Sequence, residues 1–342
     1  MSEVDSKPFN YPILITGGAG FLGSHMVALC LEKQVDVVVI DNLSNSDLSN
    51  LQKLESHFNV TISFFNIDIR DQDKLKQFFK DHPFSAVIHF AGLKSVSESV
   101  TNPDLYHDNN VTGSQHLIDC IKEQGVKKVI FSSSATVYGD SQYLPIDEEH
   151  PVQPFNPYGE TKAQVEQLFL NDEYFKTASV KLLRYFNPVG SYKGIIGEKP
   201  NGVPNYLMPY ILGVAQEKYE HLNIYGDDYE TEDGTGVRDY IHVIDLIEAH
   251  WVSLMDDTSG CQIYNVGCGK GVSVKEMVRA FEKVNQINIP YHIRSRRAGD
   301  IATCYAAVDK IKNHLNWSSQ LNLEDMCRDA WKVNASWGIW IV

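Results

Sequence analysis

From Pro12 onward the chain alternates short apolar runs, rich in β-branched residues, with longer stretches whose apolar positions recur at helical spacing. Runs at Ile13–Thr16, 35–40, 62–65, 86–90, Lys128–Ser132 and 180–185 predict strands, most of them apolar on both faces as strands inside a parallel sheet must be. Stretches at 20–32, 71–80, 104–123 and 156–175 predict the helices between them. Strand, helix and strand joined by right-handed crossovers make an α/β fold with a doubly wound parallel sheet. From Asn187 the punctuation changes, with Gly190, Gly194, Gly197, Pro200, Gly202 and Pro204 close together. A division is predicted there, into a first domain 1–186 and a smaller α/β domain 187–342, with segments around 235–265 returning to the first. The second domain is predicted to hold strands at Leu222–Tyr225, 262–266 and 291–293, and helices at Val243–Met255, 274–284 and Asp309–Leu315. The polar start, 1–10, reads as loosely ordered.

Composition narrows the class. With 342 residues the chain has room for about two domains of ~150 residues, each with its own core. Lysine and arginine number 30 against 44 aspartates and glutamates, a net charge of -14, which is the opposite of a nucleic-acid footprint. An anionic ligand would therefore need locally placed arginines, and Arg238, Arg296 and Arg297 are the candidates. The six cysteines form no C-x-x-C pair and the twelve histidines no H-E-x-x-H, so no metal site is expected. Reduced thiols and the lack of a signal-peptide pattern suggest a cytoplasmic protein. No apolar run reaches the ~18 residues that span a bilayer. The apolar tail 337–342 is expected to dock on the protein or on a partner subunit.

The first strand runs into Gly17, Gly18, Ala19, Gly20, Phe21, Leu22 and Gly23, which fits both G-x-G-x-x-G and the more even G-x-x-G-x-x-G. Glycines suit a tight turn where backbone N–H groups at a helix N-terminus approach a pyrophosphate. The next strand ends at Asp41, about 20 residues on, where a dinucleotide fingerprint places a carboxylate for the adenosine ribose. That carboxylate would repel a 2'-phosphate, which favours NAD over NADP, and the sheet is then Rossmann-type. A P-loop fails, because Ser24 and His25 follow Gly23 where Lys and Ser/Thr are needed. Gly267–Gly271 reads as a plain turn before a helix at Ser273.

The strand Lys128–Ser132 ends in Ser132, Ser133 and Ser134, hydroxyls at the carboxyl edge of the sheet where such folds bind ligands. Tyr158 and Lys162 follow at i and i+4 of a predicted helix. A phenol is a weak base at neutral pH, but an ammonium alongside favours the phenolate, and a cationic nicotinamide would add to the shift. Tyr158 is then the proton acceptor, Ser134 the hydrogen-bond partner of the reacting oxygen, and Glu160 a solvent-facing residue.

With these residues in place the chain resembles the extended short-chain dehydrogenase/reductase family, and within it the UDP-glucose 4-epimerases, from about Pro12 to Trp331. The likeness is carried by the strings 41–46, 89–94, 132–140, 183–190 and 231–242. It implies that Asn42, Ser44, Asn45 and Ser46 join Asp41 at the cofactor, that Asp68 and Ile69 flank the adenine, and that Phe90, Ala91, Gly92 and Lys94 line the dinucleotide. It also implies that Asn109, Ser132 and Phe186 approach the cofactor. Lys94, Asn187, Leu207, Asn223, Ile224, Tyr225, Arg238, Arg297 and Asp300 would hold a UDP-sugar with Ser134 and Tyr158, and paired guanidinium groups suit a diphosphate. Tyr206 stands where the family usually has an asparagine, and Cys304 where it alternates between tyrosine and smaller residues. A small residue at 304 leaves room for a 2-N-acetyl group, while Tyr206 could fill that room.

The resemblance implies a redox-neutral inversion at C4 of a UDP-hexose through a 4-keto sugar, with NAD retained, in a homodimer that pairs the helices at 104–123 and 158–175. Ala135 and Thr136 replace the carboxylates that dehydratases of this type carry after the serine, which disfavours elimination. Two alternatives stay open: a nucleotide-sugar dehydrogenase or reductase with the same Ser134, Tyr158 and Lys162, and a dinucleotide-sensing protein without catalysis.

Overall fold

The computed structural model describes residues 9–199, 202, 204, 206–297 and 299–335, with side chains up to Val333. Residues 1–8, Asn205 and the apolar tail 337–342 lie outside the described residues.

The first half builds a sheet from β1 (Ile13–Thr16), β2 (Val37–Asp41), β3 (Ser63–Asn66), β4 (Ala86–His89), β5 (Lys128–Ser132) and β6 (Ser179–Tyr185). Between them run α1 (Phe21–Glu32), α2 (Ser49–Phe58), α3 (Gln72–Asp81), α4 (Val96–Thr101), α5 (Pro103–His107), α6 (Gly113–Gln124) and α7 (Pro157–Leu170). The second half adds short strands β7 (Asn187–Val189), β8 (Ser191–Tyr192), β9 (Ile196–Gly197), β10 (Leu222–Tyr225), β11 (Val237–His242), β12 (Gly260–Val266), β13 (Gly271–Ser273), β14 (Tyr291–Arg294) and β15 (Thr303–Cys304). Its helices are α8 (Leu207–Ala215), α9 (Val243–Met255), α10 (Val274–Asn285), α11 (Asp309–Leu315) and α12 (Leu323–Ala335).

The main sheet has seven strands in the order β12-β6-β5-β4-β1-β2-β3, all parallel. β1 is buried along its whole length, which its apolar sequence permits because helices cover both faces. One face packs under α1, α2 and α9 through Met26, Leu51 and Leu246; the other packs under α3, α6 and α7 through Phe78, Leu117 and Phe169. Each such side chain contributes roughly 1.5–3 kcal/mol of burial. β12 comes from far down the chain and pairs residue by residue with β6, from Gly260↔Ser179 to Val266↔Tyr185.

Beside this sheet, β11 pairs with β7 and β15 in parallel and with β13 antiparallel, while β10 pairs with β14. A separate core of Met208, Ile211, Met277, Phe281 and Met326 joins α8, α10 and α12 beneath them. Ser273 begins α10 with a capping box closed by Glu276, so the 267–271 glycines do form a turn and a short strand ahead of a helix.

Two predicted helices are interrupted. The 104–123 stretch divides into α5, a π-helical turn at Asp108–Thr112, and α6. The cause is a buried amide: Asn110 accepts from Leu93 N at 2.8 Å and donates to Leu93 O at 3.0 Å and Thr161 Oγ1 at 3.1 Å, partners outside its own helix. The 156–175 stretch ends at Leu170, and Asp172 then caps a separate 3-10 turn, Glu173–Lys176. β2 starts at Val37 rather than 35, because Gln34 at φ +56° and the bond from Val35 N to Cys30 O close off α1.

Candidate active site

Because the main-sheet strands are parallel, Gly17, Asp41, Phe90, Ser132 and Phe186 all emerge at one carboxyl edge. The glycine turn is set by backbone contact. Gly17 sits at φ +67°, and a Cβ there would lie 2.7 Å from Ala91 N; a Cβ at Gly23 would lie 2.2 Å from Gly17 O. A Cβ at Gly20 would meet only Gly17 O at 3.2 Å, so this side opens outward. The N-terminus of α1, at Gly20, Phe21 and Leu22, has neither a side-chain cap nor an acidic residue in its first turn. Gly20 N is spent on Gly17 O at 3.1 Å, and the N–H groups of Phe21 and Leu22 are left for an anion, the arrangement a pyrophosphate requires.

Asp41 is buried and accepts from Ala19 N at 3.1 Å, Leu43 N at 2.9 Å and Ser46 Oγ at 3.0 Å. Asn42 donates to Asp68 Oδ2 at 3.0 Å, and Asn42 Oδ1 accepts from Ser44 N, while Ser44 and Asn45 are exposed. Arg70, paired to Asp68 at 2.7 Å, holds that carboxyl down at about 2. Ile69 turns instead into the core, against Gly113. These residues fit the adenosine half of a dinucleotide, with Asp41 at the ribose position.

Further along the edge, Ala91 N donates to Thr16 Oγ1 at 3.2 Å. Ser114 Oγ gives its hydrogen to Asn110 O, so His89 Nε2–H donates to Ser114 Oγ at 2.8 Å and His89 Nδ1 accepts from Thr16 Oγ1 at 2.7 Å. This buried chain ties β1, β4 and α6 together behind Ala91. The π-helical turn places Asn109 beside it, donating to Asn110 Oδ1 at 3.0 Å, and a Cβ on Gly92 would lie 3.3 Å from that same oxygen. Phe90 lies 4.9 Å, ring to ring, from His250, whose Nε2 is 3.0 Å from Ser132 Oγ.

Asn156 caps α7, accepting from Gly159 N at 2.8 Å with Pro157 in the first turn, and this fixes Tyr158 and Lys162 on the buried face; Glu160 is exposed. Ser134 caps the short 3-10 turn Ala135–Val137, its Oγ accepting from Thr136 N at 3.2 Å and Thr136 Oγ1 at 2.9 Å. Its own hydrogen remains to be donated, and Tyr158 is near enough for Ser134 to favour its phenolate.

The expected lowering of the Tyr158 pKa by Lys162 is not found: the positive charge that pulls it down is Lys94, and burial outweighs it. Burial pushes the phenol up, with Tyr206 adding to the rise, and the Ser134 hydrogen bond and the Lys94 charge pull against it. Lys162 Nζ donates to Ser132 O at 2.8 Å, and burial lowers its pKa to about 8. Both groups are therefore biased towards their neutral forms.

On the opposite wall, Tyr206 donates to Lys94 O at 2.9 Å, and its ring lies 5.2 Å from the Lys94 ammonium, which also pairs with Glu198 at 2.8 Å. Asn187 and Leu207 are half-buried at the start of β7 and α8. Arg238 and Cys304 are register partners in β11 and β15, and Cys304 packs with Val137, Tyr138 and Phe186. Burial pushes the Cys304 thiol up to about 11, so it is an inert filler. Tyr225, Arg297 and Asp300 form one group, the guanidinium 4.7 Å from the Tyr225 ring and 2.9 Å from Asp300.

Not every predicted ligand residue turns to the cleft. Asn223 Oδ1 accepts from Arg294 Nε at 2.8 Å, and the Ile224 side chain is in the second core, so only its backbone can face a nucleotide. Arg296 is engaged by Asp228 at 2.7 Å and Tyr229 at 4.1 Å. The supporting roles of Thr16, His89 and Asn110 escaped the sequence reading, because nothing in a single chain marks a buried polar residue as the support of its neighbour.

A parallel sheet of this order, an uncapped glycine turn facing Asp41, and Ser134 beside Tyr158 with Lys162 one turn on define an extended short-chain dehydrogenase/reductase. A family profile described as GDP-mannose 4,6 dehydratase matches residues 14–330. The UDP-glucose 4-epimerase of Bacillus subtilis is 48% identical over 95% of this chain and 97% of its own length. Among solved structures, the Stenotrophomonas maltophila UDP-glucose 4-epimerase with bound NAD and formylated UDP-arabinopyranose superposes with a TM-score of 0.93 at 40% identity, covering 96% of this chain and 99% of that one. The Bifidobacterium longum enzyme in complex with NAD+ and UDP gives 0.90 at 42%, covering 95% and 98%. The chain belongs to the UDP-glucose 4-epimerase family.

Proposed function

We propose that this protein is a UDP-glucose 4-epimerase that interconverts UDP-glucose and UDP-galactose, using NAD held at the glycine turn. The observation that carries the reading is Tyr158, buried one helical turn before Lys162 at the carboxyl edge where the glycine turn, Asp41 and Ser134 also lie. NAD, when bound there, supplies the acceptor and later the donor of the hydride at C4. Tyr158 takes the proton of the 4-hydroxyl, Ser134 donates to the same oxygen, and Lys162 supplies the positive charge that favours the phenolate. The 4-keto sugar turns over, C4 is reduced on its other face, and Tyr158 returns the proton, so atoms and electrons balance without a net oxidant.

For the sugar to turn, binding energy must rest on the part that does not react. Arg238, Arg297, Asp300, Asn187, Leu207 and the 223–225 backbone are assigned to the uridine diphosphate, and Lys94, Tyr206 and Cys304 to the hexose pocket. The small Cys304 supports a further activity on UDP-GlcNAc and UDP-GalNAc. Ala135 and Thr136 carry no acid or base for elimination, which sets this site apart from the dehydratases whose name the family profile bears.

The protein is assigned to the cytoplasm, in keeping with its six free cysteines, and no helix among the described residues is long and apolar enough to cross a membrane. A homodimer through α5, α6 and α7 is supported by Val100 and Leu105, exposed at 62% and 42% on α4 and α5, the helices packed against α7. The test is an assay of the purified protein with each pair of UDP-sugars. Interconversion without net reduction of NAD is expected; steady accumulation of NADH with UDP-glucose would replace this reading with a dehydrogenase.

A further inference from the structure

Glu166 stands one turn beyond Lys162 and two beyond Tyr158, on the same buried face of α7. It is 1% exposed, and both carboxylate oxygens are engaged. Oε1 accepts from Ser133 Oγ at 2.5 Å and from Arg184 Nε at 2.9 Å; Oε2 accepts from Arg184 Nη2 at 2.6 Å. Arg184 lies on β6, 3% exposed, with its guanidinium 4.8 Å from the Tyr138 ring. Ser133 sits between Ser132, whose carbonyl receives the Lys162 ammonium, and Ser134, the partner of Tyr158. One carboxylate thus grips the end of β5 from the helix that carries the proton acceptor.

We propose that Glu166 is a positioning residue for the proton transfer: through Ser133 it sets Ser134 against Tyr158, and its charge keeps Lys162 an ammonium. Stability alone is a poor account of such a pair, because taking two charges out of water costs about as much as their attraction returns. The electrostatic half follows from the surroundings of Lys162. Facing it are Tyr158 and Glu166 from α7, the Ser132 carbonyl and the Phe131 ring at 4.9 Å from β5, His89 from β4, Gly92 from the loop beyond, and Arg184 behind Glu166. Burial keeps His89 and Tyr158 neutral, so among these groups Glu166 supplies the negative charge. It opposes the loss of the Lys162 proton that burial promotes.

The role of Lys162 rests on the epimerase reading above, so the experiment reads Lys162 directly as well as turnover. The full-length protein, labelled with 13C at lysine Cε, is titrated by NMR, with Lys162→Arg assigning the signal. In Glu166→Gln the Lys162 midpoint is expected to fall by about one pH unit, and the alkaline limb of kcat to move down with it, while KM for UDP-glucose and retained NAD hold. Glu166→Asp should recover most of both. If Glu166→Gln misfolds on its unpaired arginine, Glu166→Gln/Arg184→Met removes both charges and should move the midpoint in the same direction by less, because the guanidinium that also disfavours the ammonium goes with it. A Lys162 midpoint and a kcat limb that stay at the wild-type pH in a folded variant overturn the proposal; a merely structural residue would lower the melting temperature and leave both in place. A wild-type protein that does not epimerise refutes the function, and the NMR midpoint still decides the coupling.

Discussion

Lys162 Nζ lies 6.0 Å from the centroid of the Tyr158 ring and gives its hydrogen bond to Ser132 O, not to the phenol one turn before it. The lysine is thus held in register by the end of β5, not by the tyrosine. Proton acceptance is the role proposed for the Tyr158 oxygen. Tyr158→Phe should reduce turnover by about 10²- to 10⁴-fold while the protein stays folded and keeps its dinucleotide. Epimerisation rates and the nucleotide released on denaturation check both halves, and undiminished turnover would remove Tyr158 from the mechanism.

Asp41 offers a second test because its carboxylate joins the glycine turn, through Ala19 N, to its own loop, through Leu43 N and Ser46 Oγ. Asp41→Ala should weaken NAD binding by roughly 1.5–3 kcal/mol, the value of a hydrogen bond to a charged group, and narrow the preference over NADP. Calorimetric titration of the nucleotide-free variant with each dinucleotide measures this. Equal affinity for NAD in the variant and the wild type would place the ribose elsewhere.

Acid should destabilise the fold well before the surface carboxylates titrate. Burial lowers the pKa of His25 and His89 to about 3 and of His250 to about 4, against an ordinary value of 6.5. The folded state therefore binds fewer protons than the unfolded one, and stability that is complete above pH 6.5 is lost as the pH falls below it. Asp239 works the other way: burial raises it from 3.8 to about 6, so it gains stability on acidification across that interval. The net loss should be on the order of 2 kcal/mol per pH unit below pH 6, read as a falling urea midpoint, with a shallower slope in His250→Asn. A midpoint constant from pH 6.5 to 5 would show that these rings accept protons in the fold.

Cys304 and Tyr206, the two residues assigned above to the hexose pocket, can each be tested by substitution. Cys304→Tyr should abolish activity on the N-acetylated pair and spare UDP-glucose, at a packing cost of about 1–3 kcal/mol beside Val137 and Phe186. Tyr206→Asn releases the Lys94 carbonyl and the ring beneath the Lys94 ammonium, and should raise kcat/KM for the acetylated sugars. Both are read by coupled assay of the two substrate pairs; unchanged ratios in both variants would show that neither side chain borders C2.

Much of this was legible in the chain. Ile13–Thr16 and Lys128–Ser132 read as strands because burial on both faces leaves little but apolar residues, and the glycine turn and the Tyr158–Lys162 spacing each meet a steric or helical requirement that a sequence displays. β11 was not legible: it sets Arg238 and Asp239 side by side near its start, and Asp239 is tolerated inside only because Cys268 N, Gly269 N and Ala306 N donate to it from remote segments. The turn at Asp108–Thr112 was hidden for the same reason, since the partners of Asn110 lie on other elements. The direction of the Tyr158 shift depends on how much water the fold excludes, and spacing carries no record of that.

The strand borrowed from late in the chain has a consequence for biosynthesis. A nascent polypeptide that has cleared the ribosome only as far as 259 has made Ser179–Tyr185 but not its neighbour, so β6 presents an open row of amides and carbonyls along an apolar edge. The nucleotide-binding half cannot mature before Val266 emerges, and a premature stop between these points should yield a product that chaperones retain or that aggregates.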